Sequence, residues 1–133
     1  MKGAIQTEPI NTADLLKSGN LETGSIVIFE GIVRAEKSSK EISHLFYDAE
    51  VEIAEGELNR ILDEASSRFT IIDAIAVHRI GIVKPGEISL FVAVSSKHRN
   101  EGFQACAFIV DAIKQRLPIW KKDHFADGTE AWH

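Results

Sequence analysis

Cysteine, methionine and tyrosine each occur once in 133 residues, and proline three times. The lone Cys106 excludes an internal disulfide and fits a reducing compartment. With 44% hydrophobic residues and so little proline, neither a collagen-like repeat nor a disordered chain is compatible with the composition. No apolar run approaches the ~18 residues of a membrane span. Residues 1–20 lack the basic start and continuous apolar stretch of a signal peptide, so a cytoplasmic protein without membrane contact is expected. A Gly-rich phosphate loop, a dinucleotide fingerprint, a nucleophile elbow and an HExxH pair are all absent. Histidines 44, 78, 98, 124 and 133 do not stand at metal-ligand spacings with cysteine or carboxylates, so no metal or cofactor is expected.

What is present is one ordinary globular domain over residues 1–133, long enough to bury roughly two-thirds of its unfolded surface. The net charge of −5 has the wrong sign for nucleic-acid binding, but it hides a segregation. Between residues 78 and 124 stand eight Lys and Arg (Arg79, Lys84, Lys97, Arg99, Lys114, Arg116, Lys121, Lys122) against four acids, a local +4. The remainder carries seven basic residues and sixteen acids. A cationic zone on an acidic chain fits a pocket for a small anion better than a track for a polyanion, although scattered solvated charges would give the same count.

Periodicity places the elements. Thr12 can cap a short helix through Leu15, Leu16 and Lys17, stopped by Gly19-Asn20. Residues 25–34 (SIVIFEGIVR) read as a strand with a possible bulge at Gly31. Residues 35–41 (AEKSSKE) are polar and aperiodic, which predicts an exposed mobile loop, and residues 44–50 resume as a strand. From Val51 the period changes to that of a helix burying Ala54, Leu58, Ile61, Leu62 and Ala65. A strand over 70–80, a Lys84-Pro85-Gly86-Glu87 turn and a central strand over 88–95 follow. A helix over 100–117 should bury Phe103, Cys106, Ala107, Val110, Ile113 and Leu117 before Pro118 ends it. The tail holds two tryptophans and an Asp127-Gly128 turn. Four strands and two amphipathic helices predict a single α+β domain with a mixed or antiparallel sheet.

The candidate functional residues are cations. His98-Arg99 stands where the apolar strand hands over to the last helix, and backbone donors and dipole at a helix N-terminus favour an anion. A cap at His98 and an ion pair from Arg99 to Glu101 or Asp123 are the alternative reading. Lys114 falls in the last turn of that helix, where the dipole alone would favour it. Lys121 follows Pro118 in PIWKKD, and a proline turn with a large indole can hold a lysine rigidly, unless Trp120 merely fills the core. Arg34, ending the first strand, is a further candidate, with an exposed salt bridge as its plain alternative. Cys106, on the apolar helix face, reads as a small buried hydrophobe rather than a reactive thiol.

Taken in order, FEGIVR, FYDAE, VHRIG, KPGE, SSKHRNEGF, DAIKQRLPIWKKD and a final Trp resemble the catalytic large subunit of molybdopterin synthase, over residues 24–132. The resemblance implies an α/β-hammerhead fold and conversion of a cyclic pyranopterin monophosphate to molybdopterin by installing two dithiolene sulfurs. It also implies a small ubiquitin-like sulfur-carrier subunit as partner, its C-terminal Gly-Gly bearing a thiocarboxylate. Two copies of the large subunit would form the central dimer of a heterotetramer. Carried over by position, substrate binding falls on Ile32, Val33, Arg34, His98, Arg99, Lys122 and Asp123, and catalysis on Lys114 and Lys121. Lys121, beside Lys122, is the better candidate for a lowered pKa, and Lys114 for proton transfer. Gly102 departs from the family pattern, which usually has Ala there, and only His133 follows Trp132. The rival readings are a non-catalytic anion-binding module and a scaffold subunit of the same assembly.

Overall fold

The computed structural model describes residues 1–15 and 20–133. Its spine is β7 (Ile88–Ser96), a strand with seven of nine residues buried. On one side β7 pairs antiparallel with β2 (Ser25–Ile32), and on the other with β5 (Asp73–Arg79). Beyond β5 lies β1 (Lys2–Gln6), parallel to it, giving the order β1-β5-β7-β2. The near-continuous apolar run of β7 is what a strand covered on both faces requires, and its expected central place holds. The expected bulge holds too, with the β2 register shifting between Gly31 and Ile32. The short helix α1 is observed over Thr12–Leu15, while the expected continuation through Leu16, Lys17 and Gly19 lies outside the described residues.

Two 18-residue helices, α2 (Val51–Arg68) and α3 (Arg99–Arg116), pack side by side on this sheet. The inward face of α2 is the expected one, Ala54, Leu58, Ile61, Leu62 and Ala65. That of α3 is not. It buries Gly102, Ala105, Cys106, Ile109, Ala112 and Ile113, while Phe103 is 60% exposed and Ala107 lies outside. Both stripes have helical spacing, so apolarity could not choose between them. Size does, because Gly102 leaves no room for a larger group. A Cβ there would stand 3.0 Å from both Ser96 Oγ and Val27 Cγ2. Pro118 ends the helix as expected, with Leu117 in an extended conformation.

A second sheet sits beside the first. It consists of β3 (Glu36–Lys37), β4 (Lys40–Ala49), β8 (Ile119–Phe125) and β9 (Glu130–Trp132) in that order, with β6 (Gly81–Val83) on β4. The expected loop over 35–41 is therefore corrected to a hairpin. Ser38 and Ser39 carry φ of 53° and 65° between paired Lys37 and Lys40, the two-residue turn whose twist suits a tight hairpin. Val33, Ile42, Leu45, Tyr47 and Val83 form a small second core under this sheet. The described residues thus hold nine strands rather than four, and two long helices in an α+β arrangement.

Candidate active site

The path of the chain at the C-terminal end of α3 builds the site. Lys114 stands in the last turn, the chain turns at Pro118, and β8 runs back antiparallel to β4. Alternation along β8 sends Lys121 and Asp123 inward and Trp120, Lys122 and His124 outward. Lys121 is therefore directly opposite Tyr47 of β4, and Leu45 opposite Asp123. The strand mixes charged with apolar side chains on its inner face, Lys121 and Asp123 beside Ile119 and Phe125, while Trp120 stands 54% exposed on the outer one. Trp120 is thus neither core filling nor a buried wedge for the lysine.

Lys114 and Lys121 line one cavity of about 170 Å³, together with Tyr47, His78, Leu90, Ile113, Leu117 and Ile119. The floor is apolar, and the polar atoms come from two ammonium groups, a phenol and an imidazole. Burial pushes the Lys121 pKa below that of an ordinary lysine. Asp123 opposes the shift, and Lys37, Lys114 and Arg34 reinforce it. Lys121 is therefore a lysine biased toward its neutral form by low dielectric and three neighbouring cations. Burial likewise raises the Tyr47 pKa against the opposing Ser89 hydroxyl, so the phenol keeps its proton.

Asp123 anchors the rim. Its side chain is 1% exposed, accepting from Lys37 Nζ at 2.8 Å and from His133 Nε2 at 2.5 Å. The His133 backbone N–H also donates to the Lys121 carbonyl at 2.7 Å. Burial pushes the Asp123 pKa up, but Lys37 and His133 together hold it below the usual carboxylate range. The aspartate is thus a buried anion that pins the hairpin cation and the tail over Lys121.

The remaining expected site residues divide. Arg34 is close enough to act on Lys121 electrostatically. Val33 belongs to the small core, and its backbone is spent on the neighbouring turn, N–H to Glu87 O at 3.0 Å and O from Gly86 N–H at 2.8 Å. It packs beneath the chain that carries Arg34. Ile32 is exposed on the outer face of β2. Lys122 points away from the cavity, paired with Glu130 and 4.9 Å above the Trp132 ring. His98 and Arg99 line a different cavity with Gly24, Ser25, Lys97 and Asn100, at the opposite end of α3. Fifteen helical steps from Lys114 place Arg99 about 22 Å away. His98 makes no side-chain cap, and among the described residues Arg99 forms no ion pair, so neither structural alternative is realised.

Three residues of this site escaped the sequence reading. Lys37 was hidden in a stretch read as loop. Tyr47 looked like one more strand residue. His78 shares a strand face with Ala74 and Ala76, and a lone histidine closing a run of small buried residues was the available signal. Cys106 is buried, and burial raises its pKa, so it is the inert thiol expected.

Comparison with known proteins identifies the family and the fold. A family model described as MoaE protein matches residues 5–116. The molybdopterin synthase catalytic subunit of Thermoplasma volcanium is 41% identical over 130 residues, 97% of this chain and 95% of that one. Its counterpart from Pyrococcus abyssi is 48% identical over 110 residues, 83% of this chain and 74% of that one. The crystal structure of molybdopterin synthase from Staphylococcus aureus superposes with a TM-score of 0.92 at 33% identity, covering 98% and 95% of the two chains. The fold is shared by a Helicobacter pylori structure at TM-score 0.78 and 22% identity, described as a complex of subunits 1 and 2 of molybdopterin-converting factor. The chain therefore belongs to the MoaE family, the catalytic subunits of molybdopterin synthase.

Proposed function

We propose that the Lys114–Lys121 cavity is where a cyclic pyranopterin monophosphate receives sulfur from the thiocarboxylated C-terminal glycine of a small ubiquitin-like subunit, yielding molybdopterin in the cytoplasm. The observation that carries this is the convergence of two lysines, seven residues apart across a proline turn, on one small cavity with an apolar floor. Lys121, pushed toward neutrality, engages the thiocarboxylate or a carbonyl-derived centre. Lys114 donates the proton needed as the cyclic phosphate opens. Arg34 and Lys37 compensate the charge of two anions held side by side.

His98 and Arg99 serve the same chemistry from a second copy of the chain. About 22 Å along α3 keeps them out of their own Lys114 cavity, and exposed apolar side chains on the edge strand and on α3 support a self-dimer. Ile26 and Ile28, 42% and 44% exposed, lie on the outer face of the edge strand β2, and Phe103 is exposed on α3. In a two-fold dimer the anion site of one copy then completes the lysine cavity of the other.

The test is turnover with thiocarboxylated small subunit and pterin precursor. Lys121→Ala and Lys114→Ala should each lose at least ~100-fold, the scale of a positioned acid–base group. Normal molybdopterin formation by either variant overturns the assignment and leaves the scaffold reading.

A further inference from the structure

His78 is the buried titratable group in the cavity that the lysine chemistry does not use. It closes β5, is almost fully buried, and its ring stands edge-on to Tyr47 with centroids 5.2 Å apart. Its Nδ1 lies 2.7 Å from the carbonyl oxygen of Arg79. A carbonyl can only accept, so Nδ1 carries a proton and the neutral ring keeps its lone pair on Nε2. Among the described residues no protein group hydrogen-bonds Nε2, and that atom is not fully sealed from solvent, so the cavity that His78 lines reaches it. Burial and the nearby Lys114 charge hold the His78 pKa down to about 4, against a weaker opposing effect of the Arg79 carbonyl. The ring therefore stays neutral wherever the two lysines are working. It adds no third positive charge to their cavity.

The other polar groups of the cavity, Lys114, Lys121 and the Tyr47 phenol, all carry protons to donate, and the one nitrogen lone pair among them, that of neutral Lys121, is committed in the proposed reaction to the thiocarboxylate or carbonyl-derived centre. Such a set recognises phosphate and carboxylate oxygens but cannot tell one anion from another. An acceptor with no proton to give supplies what they lack. We propose that His78 Nε2 accepts an N–H or O–H of the bound heterocycle, so that the cavity selects a donor-bearing ring over a bare phosphate. This rests on the reading of the cavity as the pterin phosphate site, and makes His78 the specificity-determining residue within it.

The test uses the full chain titrated with the pterin phosphate precursor and, separately, with inorganic phosphate. His78→Phe should bind the precursor about 10- to 100-fold more weakly, the cost of leaving a donor unpaired in a desolvated site, with phosphate affinity unchanged. His78→Gln, whose side-chain oxygen reaches about as far as Nε2, should recover most of the loss. Wild-type precursor affinity in His78→Phe overturns the proposal, as does an equal loss toward phosphate. Should the Phe variant not fold, nitrogen-15 spectra of the wild-type imidazole decide. The Nε2 resonance should be that of an unprotonated nitrogen, moved by precursor and not by inorganic phosphate. A protonated Nε2, or no response to precursor, overturns the assignment. Failure of the wild-type chain to bind the precursor at all would instead remove the site reading on which this one stands.

Discussion

Helix α3 carries a cationic site at each end, and the two are built on different physics. At the N-terminus, His98 and Arg99 sit with Lys97 around an open concavity where backbone N–H groups and the dipole already favour an anion. At the C-terminus, Lys114 sits where the dipole favours a cation regardless of function, and the chemistry comes from what β8 and β4 fold over it. Charge counting along the sequence treats the two ends alike. Burial does not. Lys121 is biased toward neutrality by burial in a cavity it shares with Tyr47, Leu90 and Ile119, whereas the Arg99 end is lined by Gly24, Ser25, Lys97, His98 and Asn100, with no large apolar side chain among them. Holding an anion needs cations; moving a proton needs cations in a dry place.

The sharpest way to break this comparison is to separate the ends genetically. Lys121→Ala and a His98→Ala/Arg99→Ala double variant should each be poorly active alone, by at least ~100-fold and about 10-fold respectively. If each cavity is completed by the other copy, mixing and reassembling the two inactive chains restores activity. About half of the dimers are then mixed, and one of their two sites has both sets intact, so turnover returns to about a quarter of wild type. Absence of recovery after confirmed subunit exchange would confine each site to its own chain.

A medium effect sharpens the dry end. The unfolded His78 has its ordinary pKa of 6.5 and the folded one about 4, so below pH 6.5 the unfolded state binds the extra proton first. Stability is therefore full above pH 6.5 and falls as pH drops toward 4, by about 3 kcal/mol in all. Denaturant unfolding across that range should show this slope, and His78→Phe, which has no proton to take up, should flatten it. An unchanged slope in His78→Phe would mean that the imidazole is already solvated in the native state.

How far the fold and site were legible follows the same division. The two helices and strands β2, β5 and β7 of the first sheet were readable because each buries one periodic face or a continuous apolar run. Strand β1 was missed because KGAIQ is short and its partner β5 is some seventy residues away, a parallel pairing that no local pattern encodes. The β3–β4 hairpin was missed because its turn uses two serines at positive φ where glycine or asparagine would have announced it. Strand β8 was missed for a functional reason: it points Lys121 and Asp123 inward and Trp120 outward, so its alternation reads as noise unless the inside is a polar cavity. Both lysines were legible as chemical groups. Their separation from His98 and Arg99 followed from the helix read over 100–117, but which end is buried did not, because that depends on β8 and β4 folding over Lys114.

The smallest expected effect lies between the two ends. Cys106 stands midway along α3, in the main core with Ala105 and Ile109, and burial raises its pKa, so neither nucleophilicity nor metal binding is available to it. In the proposed reaction sulfur comes from the partner's thiocarboxylate, which leaves the thiol no chemical task. Cys106→Ala should therefore keep full synthase turnover while costing about 1 kcal/mol of stability for the small void it leaves. The two readouts must part company, with unfolding shifted and turnover not. Turnover lost at unchanged stability would put a sulfur of this chain into the transfer and dissolve the distinction between a working end and a packed middle on which the comparison depends.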